Sequence, residues 1–116
     1  MKRMSSHTVG VDQGSLELFL DFQDGGDMWT GTGPRKASRA IKFSKAFAAQ
    51  PLVHASLTMW DMGSGRNARV DIRAENVTET GFDLVFRTWS DTSVARVSSS
   101  WLAIDGVADP EQWDIY

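Results

Sequence analysis

A chain of 116 residues, 41% apolar and 23% charged, has room for one domain built around one buried core. Fifteen acids against twelve bases leave a net charge of −3, which argues against the clustered Lys and Arg of general nucleic-acid binding and leaves space only for a small basic patch. With no cysteine, a disulfide framework and a thiolate zinc site are both excluded, so stability has to come from burial.

Residues 1–13 read as a flexible N-terminus. Met1-Lys2-Arg3-Met4 begins as a secretory leader does but continues into Ser5-Ser6-His7-Thr8 without an apolar run, so no signal peptide is predicted. No stretch reaches the length of a membrane span, so no membrane insertion is predicted. The default expectation is a cytoplasmic protein, with the cell surface, a virion-like particle or signal-independent release as other destinations.

From residue 14 onward, period-2 alternation marks half-buried strands. Leu16, Leu18, Leu20 and Phe22 alternate with Glu17, Phe19 and Asp21 before the turn Asp24-Gly25-Gly26-Asp27. Ile41 and Phe43 alternate with Lys42 and Ser44, and the stretch from Phe43 to Gln50 is compatible with a helical turn ahead of Pro51. Val53, Ala55, Leu57 and Met59 form the next apolar face, and Gly63-Ser64-Gly65 closes that segment. Val70, Ile72 and Ala74 follow, then Phe82, Leu84 and Phe86 after the turn Glu79-Thr80-Gly81. In the last strand Val97 and Trp101 share one face while Arg96, Ser98 and Ser100 take the other. Together these predict an all-β fold, a six-stranded antiparallel β-sandwich over residues 14–104. An acidic tail, residues 105–116, carries Trp113 and Tyr116 and either lies over the sandwich or a neighbouring chain or forms a mobile end.

Enzymatic chemistry finds little support. His7 and His54 are the only histidines and share no metal-ligand spacing, so no catalytic residue, metal or cofactor is predicted. Asp61, Asp71, Glu75 and Asp91 are carboxylates of the kind a solvated sheet face carries, although some pair of them falling at glycosidase distance stays open. Asn76-Val77-Thr78 fits a glycosylation acceptor but is better explained as a turn whose Asn and Thr bond the backbone.

The segment Trp89-Ser90-Asp91-Thr92 is different in character. It sets a large apolar plane beside hydroxyl and carboxylate groups, a combination suited to a sugar, whose C–H faces stack on aromatic rings and whose hydroxyls need paired donors and acceptors. The alternative is that Trp89 caps the sandwich edge or fills a contact between protomers. Arg69, opposite in face to Val70 and Ile72, is either a solvated charge or a planar donor fork for vicinal hydroxyls. The loop Asp27-Met28-Trp29-Thr30-Gly31-Thr32-Gly33-Pro34-Arg35 offers close backbone approach at its glycines, or is a plain connection. Five Trp and six Phe exceed what one sandwich buries, which points to an interface.

The ordered series Arg39-Ala40-Ile41-Lys42-Phe43-Ser44, Phe47, Pro51-Leu52-Val53, Ser56-Leu57, Asp61, Asn76-Val77-Thr78, Gly81-Phe82, Thr88-Trp89 and Trp101-Leu102-Ala103-Ile104 resembles the H-type lectin domain. The resemblance implies a carbohydrate-binding lectin for galactose-type or N-acetylgalactosamine-type glycans. It also implies a homotrimer with sugar sites near the subunit boundaries. It places Arg69, Trp89 and the position of Thr32 at the sugar site, and with Ser90, Asp91 and Gly31 from the residue reading these make up the candidate carbohydrate-binding set. Two positions depart from the snail-type pattern, Thr32 where that site has an accepting Asp and Ala95 where it has an aromatic. These departures favour an alternative, a structural attachment module of a multimeric fibre or spike with a decayed sugar site.

Overall fold

The computed structural model describes residues 1–4 and 7–108. Among these residues six strands form two three-stranded antiparallel sheets, as expected. The first sheet places β6 (Val94–Val107) between β1 (Thr8–Phe19) and β3 (Leu52–Met62); the second places β5 (Gly81–Thr88) between β2 (Arg35–Lys42) and β4 (Val70–Glu75). The two central strands are the most apolar. Leu84 and Phe86 of β5 and Val97 and Ala103 of β6 are fully buried, each such side chain worth about 1.5–3 kcal/mol for the larger ones.

The core is aromatic at one end. Phe43, Phe82 and Trp101 pack with centroids 5.3 to 5.9 Å apart, and Phe47 meets Phe43 edge-on at 5.0 Å. Gly14 makes this possible, because a Cβ there would lie 2.7 Å from the Trp101 indole nitrogen. At the other end Phe19 packs on Phe86 at 5.4 Å, and Met28 and Val94 close the interior beneath the loops.

Four local expectations change. β1 begins at Thr8, so residues 8–13, expected to be flexible, pair with residues 102–107 of β6 from Thr8↔Val107 to Gln13↔Leu102. Before it, the Lys2 ammonium bonds the Gln50 carbonyl and lies 2.9 Å from the buried carboxylate of Asp105. β6 likewise runs to Val107, three residues past the expected boundary at 104. Trp113 and Tyr116 lie outside the described residues.

β1 also ends early. Phe19 is its last residue, and Leu20 and Phe22, assigned to the strand by alternation, leave it for two four-residue helical turns, α1 (Asp21–Asp24) and α2 (Asp27–Thr30). The Asp21 carboxylate accepts from the Met28 backbone N–H at 2.9 Å and so holds the second turn against the first.

No helical turn forms between Phe43 and Gln50. The backbone donors there are satisfied across the fold instead: Phe43 N–H by Thr80, Phe47 N–H by Glu79 and Ala48 N–H by Gly106, each at 2.9 Å. Asp12 accepts from the Ser44 N–H at 2.8 Å, and this bond holds its carboxyl below the usual range against the opposing effect of burial. Tertiary partners thus outcompete the four-residue-back carbonyls, and both phenylalanines point inward.

Candidate functional site

β5 ends at Thr88, and the chain then turns through Trp89 to Ser93 into β6. This turn, the loop of residues 26–34 and the loop of residues 63–69 converge at one end of the sandwich. Arg35 ties two of them together. Only 7% exposed, its guanidinium donates from Nε to the Gly33 carbonyl at 2.9 Å and from Nη1 to those of Met28 and Asp27 at 3.1 and 3.3 Å. From Nη2 it donates to the carbonyls of Thr92 and Ser90 at 2.8 and 3.3 Å. The Ser90 carbonyl also accepts from the Gly33 N–H at 2.9 Å, and Ser90 itself takes φ +62. Sequence reasoning named Arg35 only as the end of a loop; the one hint was a charged residue opening a strand directly after Gly33-Pro34.

Thr92 fastens the third loop. Buried to 1% exposure, its hydroxyl donates to the Asn67 carbonyl at 2.5 Å and accepts from the Arg69 N–H at 3.1 Å. The Thr88 hydroxyl donates to the Arg69 carbonyl at 2.6 Å. Arg69 is therefore held by its backbone on both sides while its side chain is exposed to solvent. Asp91 accepts from Asn67 Nδ2 at 3.2 Å, and this bond, with a smaller contribution from the Arg66 charge, keeps its carboxyl below the usual range.

The six expected site residues come to one end of the molecule but not to one cavity. Trp89, 41% exposed, stands over two adjoining grooves. One, of about 410 Å³, is bordered by Val70, Asp71, Arg73, Glu75 and Arg87; the other, of about 400 Å³, by Pro34, Arg35, Lys36, Arg87 and Thr88. Gly31 and Thr32 instead line a separate cleft of about 590 Å³ with Trp29, Thr30, Gly63, Ser64, Arg66 and Ser93. Arg69, Ser90 and Asp91 line neither. Ala95 is buried in β6 and reaches neither cavity.

The grooves under Trp89 have fixed polar walls. Arg87 donates to both carboxylate oxygens of Glu75, at 2.5 and 3.1 Å, which lowers the Glu75 pKa and raises that of Arg87. Arg73 donates to Asp71 at 2.8 Å and Arg96 to Asp61 at 3.3 Å. Each carboxylate named as a possible acid or base thus already holds a guanidinium or, for Asp91, an amide. Among the described residues no three His, Asp or Glu side chains cluster as metal ligands would, and no helix is long and apolar enough to cross a membrane. Asn76 bonds the Asp83 carboxylate at 2.9 Å rather than the backbone, while Thr78 does bond its turn, accepting from the Thr80 and Gly81 N–H groups at 3.3 Å.

Comparisons with known proteins fit this architecture. A Fuscovulum blasticum protein described as ATP synthase subunits region ORF 7 is 53% identical over 108 residues, covering 93% of this chain and 94% of its own length. A discoidin-1 of Dictyostelium discoideum is 32% identical over 104 residues, 87% of this chain but 41% of that protein. The wild-type discoidin II structure from the same organism superposes with a TM-score of 0.75 at 25% identity, over 90% of this chain and 40% of that one. The chain thus spans about two fifths of the discoidins it matches. The profile of the H-type lectin domain matches residues 38–104, and on that match together with the sandwich topology the chain belongs to the H-type lectin domain family.

Proposed function

We propose that this lectin domain binds galactose-type or N-acetylgalactosamine-type glycans without catalysis, at sites near the subunit boundaries of a homotrimer. The observation that carries the proposal is Trp89, a large ring left 41% exposed over grooves whose carboxylates and guanidinia are locked to one another. Such a surface offers a stacking plane and preorganised polar partners, with no unpaired acid poised for proton transfer. Trp89 and the Gly31–Thr32 pair occupy separate cavities in one protomer, which is consistent with a complete site assembled from two protomers.

The outer face of the β1–β6–β3 sheet supports self-association. Val11 and Leu52 flank Ile104 across three strands, Leu102 lies in the next row, and Val11, Leu52 and Leu102 are 61, 59 and 42% exposed. An apolar strip this continuous fits a contact between copies of the chain. Assembly turns weak single sites into avidity.

Titration with N-acetylgalactosamine and galactose, alongside light scattering, tests both parts. Wild type binds and scatters as a trimer, and Trp89→Ala loses about 1–3 kcal/mol of binding with its fold intact. Unchanged affinity in Trp89→Ala removes Trp89 from the site, and a monomer at micromolar concentration removes the trimer. The burial of Ala95 and the replacement of an acceptor carboxylate by Thr32 favour a second reading, an attachment module of a multimeric particle with a decayed site. A trimer that binds no glycan would establish that reading over the first.

A further inference from the structure

The cleft lined by Gly31 and Thr32 has an electrostatic character of its own. Besides Gly31 and Gly63 it is lined by Trp29, by the hydroxyl residues Thr30, Thr32, Ser64 and Ser93, and by Arg66. Gly63 lets the two sides close on one another: a Cβ there would stand 3.3 Å from Ser93 Cβ and 3.5 Å from the Trp29 ring. Among the described residues none that lines this cleft carries a carboxylate, although the Asp27 carboxylate stands against Gly31, its Oδ1 2.2 Å from where a Cβ there would lie, and Arg66 forms no ion pair within 4 Å. The Asp91 carboxylate feels the Arg66 charge, but it does not line the cleft and is already bonded by Asn67 at 3.2 Å.

Hydroxyls donate and accept and so serve neutral sugars and anions alike, whereas a guanidinium only donates. Here the position of the snail-type acceptor carboxylate is held by Thr32, so the cleft brings together a planar cation with no ion-pair partner within 4 Å among the described residues, several hydroxyl residues and an aromatic residue. A guanidinium in that setting is matched by a bidentate oxyanion. We infer that the Trp29–Arg66 cleft selects acidic glycans, with Arg66 pairing the carboxylate or sulfate of a charged saccharide whose ring lies against Trp29. The inference rests on the proposal that the domain binds sugar, and it specifies the ligand class at the cleft that Gly31 and Thr32 line. A carboxylate and a sulfate present the same pair of acceptor oxygens, so the cleft geometry is common to both.

Calorimetric titration of the full chain with lactose, sialyllactose and galactose 6-sulfate, at low and high salt, tests it. At low salt one or both acidic ligands bind about tenfold tighter than lactose, the factor a charge-assisted hydrogen bond supplies, and the preference shrinks at high salt. Which ligand gains identifies the anion. Arg66→Gln collapses the acidic-to-neutral ratio to about one, and Arg66→Glu inverts it. Equal wild-type affinity for lactose and both acidic ligands overturns the acidic selectivity while the lectin proposal stands. A preference that survives in Arg66→Gln overturns the cleft assignment. Binding of none of the three overturns the acidic selectivity, and the N-acetylgalactosamine titration then decides the lectin proposal separately. Circular dichroism of the variants separates lost binding from lost fold, and because Arg66 is exposed and forms no ion pair within 4 Å among the described residues, both variants are expected to fold.

Discussion

The Arg35 guanidinium donates to the Thr92 carbonyl at 2.8 Å, joining the residue that opens β2 to the turn that follows Trp89. Its other bonds go to carbonyls of the preceding loop and of Ser90, so one buried cation satisfies five backbone acceptors without a carboxylate partner. Lys presents one ammonium on a flexible stem and cannot span that set. Arg35→Lys is therefore expected to destabilise the domain by about 2–4 kcal/mol, from several lost charge-assisted bonds and carbonyls left buried. Urea denaturation measures it. A midpoint within error of wild type would show that the loops hold together without Arg35.

The strands were legible because alternation reports burial directly, and Phe82, Leu84 and Phe86 or Val97 and Trp101 fall on the expected faces. Where alternation misled, a local competitor won. Leu20 and Phe22 continue the pattern on paper, yet the Asp21 carboxylate and Gly25, at φ +63, turn the chain into two short helices. The six expected site residues reach one end because their loops do. Which cavity each enters depends on contacts such as Arg35 to Ser90 and Thr92 to Asn67, at separations of 55 and 25 residues, which no local pattern encodes.

Thr92→Val isolates the second of these ties. Valine keeps the volume but removes the hydroxyl that the Arg69 N–H and the Asn67 carbonyl both use. The expected cost is about 1–3 kcal/mol, the range for a buried group left without its partner. The Asp91–Asn67 bond should loosen with it, so the Asp91 carboxyl should titrate closer to its ordinary value, as carboxyl chemical shifts followed by pH would report. An unshifted Asp91 would mean that Asn67 is held by something other than Thr92.

Asp105 gives a pH dependence of defined sign. The Lys2 ion pair, followed by the Gly106 N–H, holds its carboxyl below the usual range, with burial acting in the opposite direction. A carboxylate whose folded pKa is depressed contributes stability above its unfolded value near 4, and loses that contribution as pH falls through the folded value. Asp12, Glu75 and Asp91 are shifted the same way and add to the acid loss in wild type. Comparison with Lys2→Met removes their share. The variant should be less stable than wild type at pH 7, and the gap should narrow as pH falls toward about 3, below the unfolded value. A gap independent of pH would show that Lys2 acts by packing, not by charge.

Arg69 decides between the lectin and the attachment module. Thr88 and Thr92 fix its backbone, so substitutions of the side chain leave the loop in place, and its solvent exposure leaves the head group free to meet a ligand or a second protomer. If it is a sugar ligand, Arg69→Lys should weaken binding almost as much as Arg69→Ala, because Lys keeps the charge but loses the planar fork that spans adjacent hydroxyls. If it is a solvated charge, both variants should bind and assemble as wild type does. If the Ala variant alone dissociates while the protomers still bind, Arg69 belongs to the contact between protomers, and charge without planarity suffices there. Titration with N-acetylgalactosamine alongside light scattering distinguishes the three. The expected result is parallel loss of about tenfold or more in both variants with the trimer intact, the size of a charge-assisted hydrogen bond removed from a ligand.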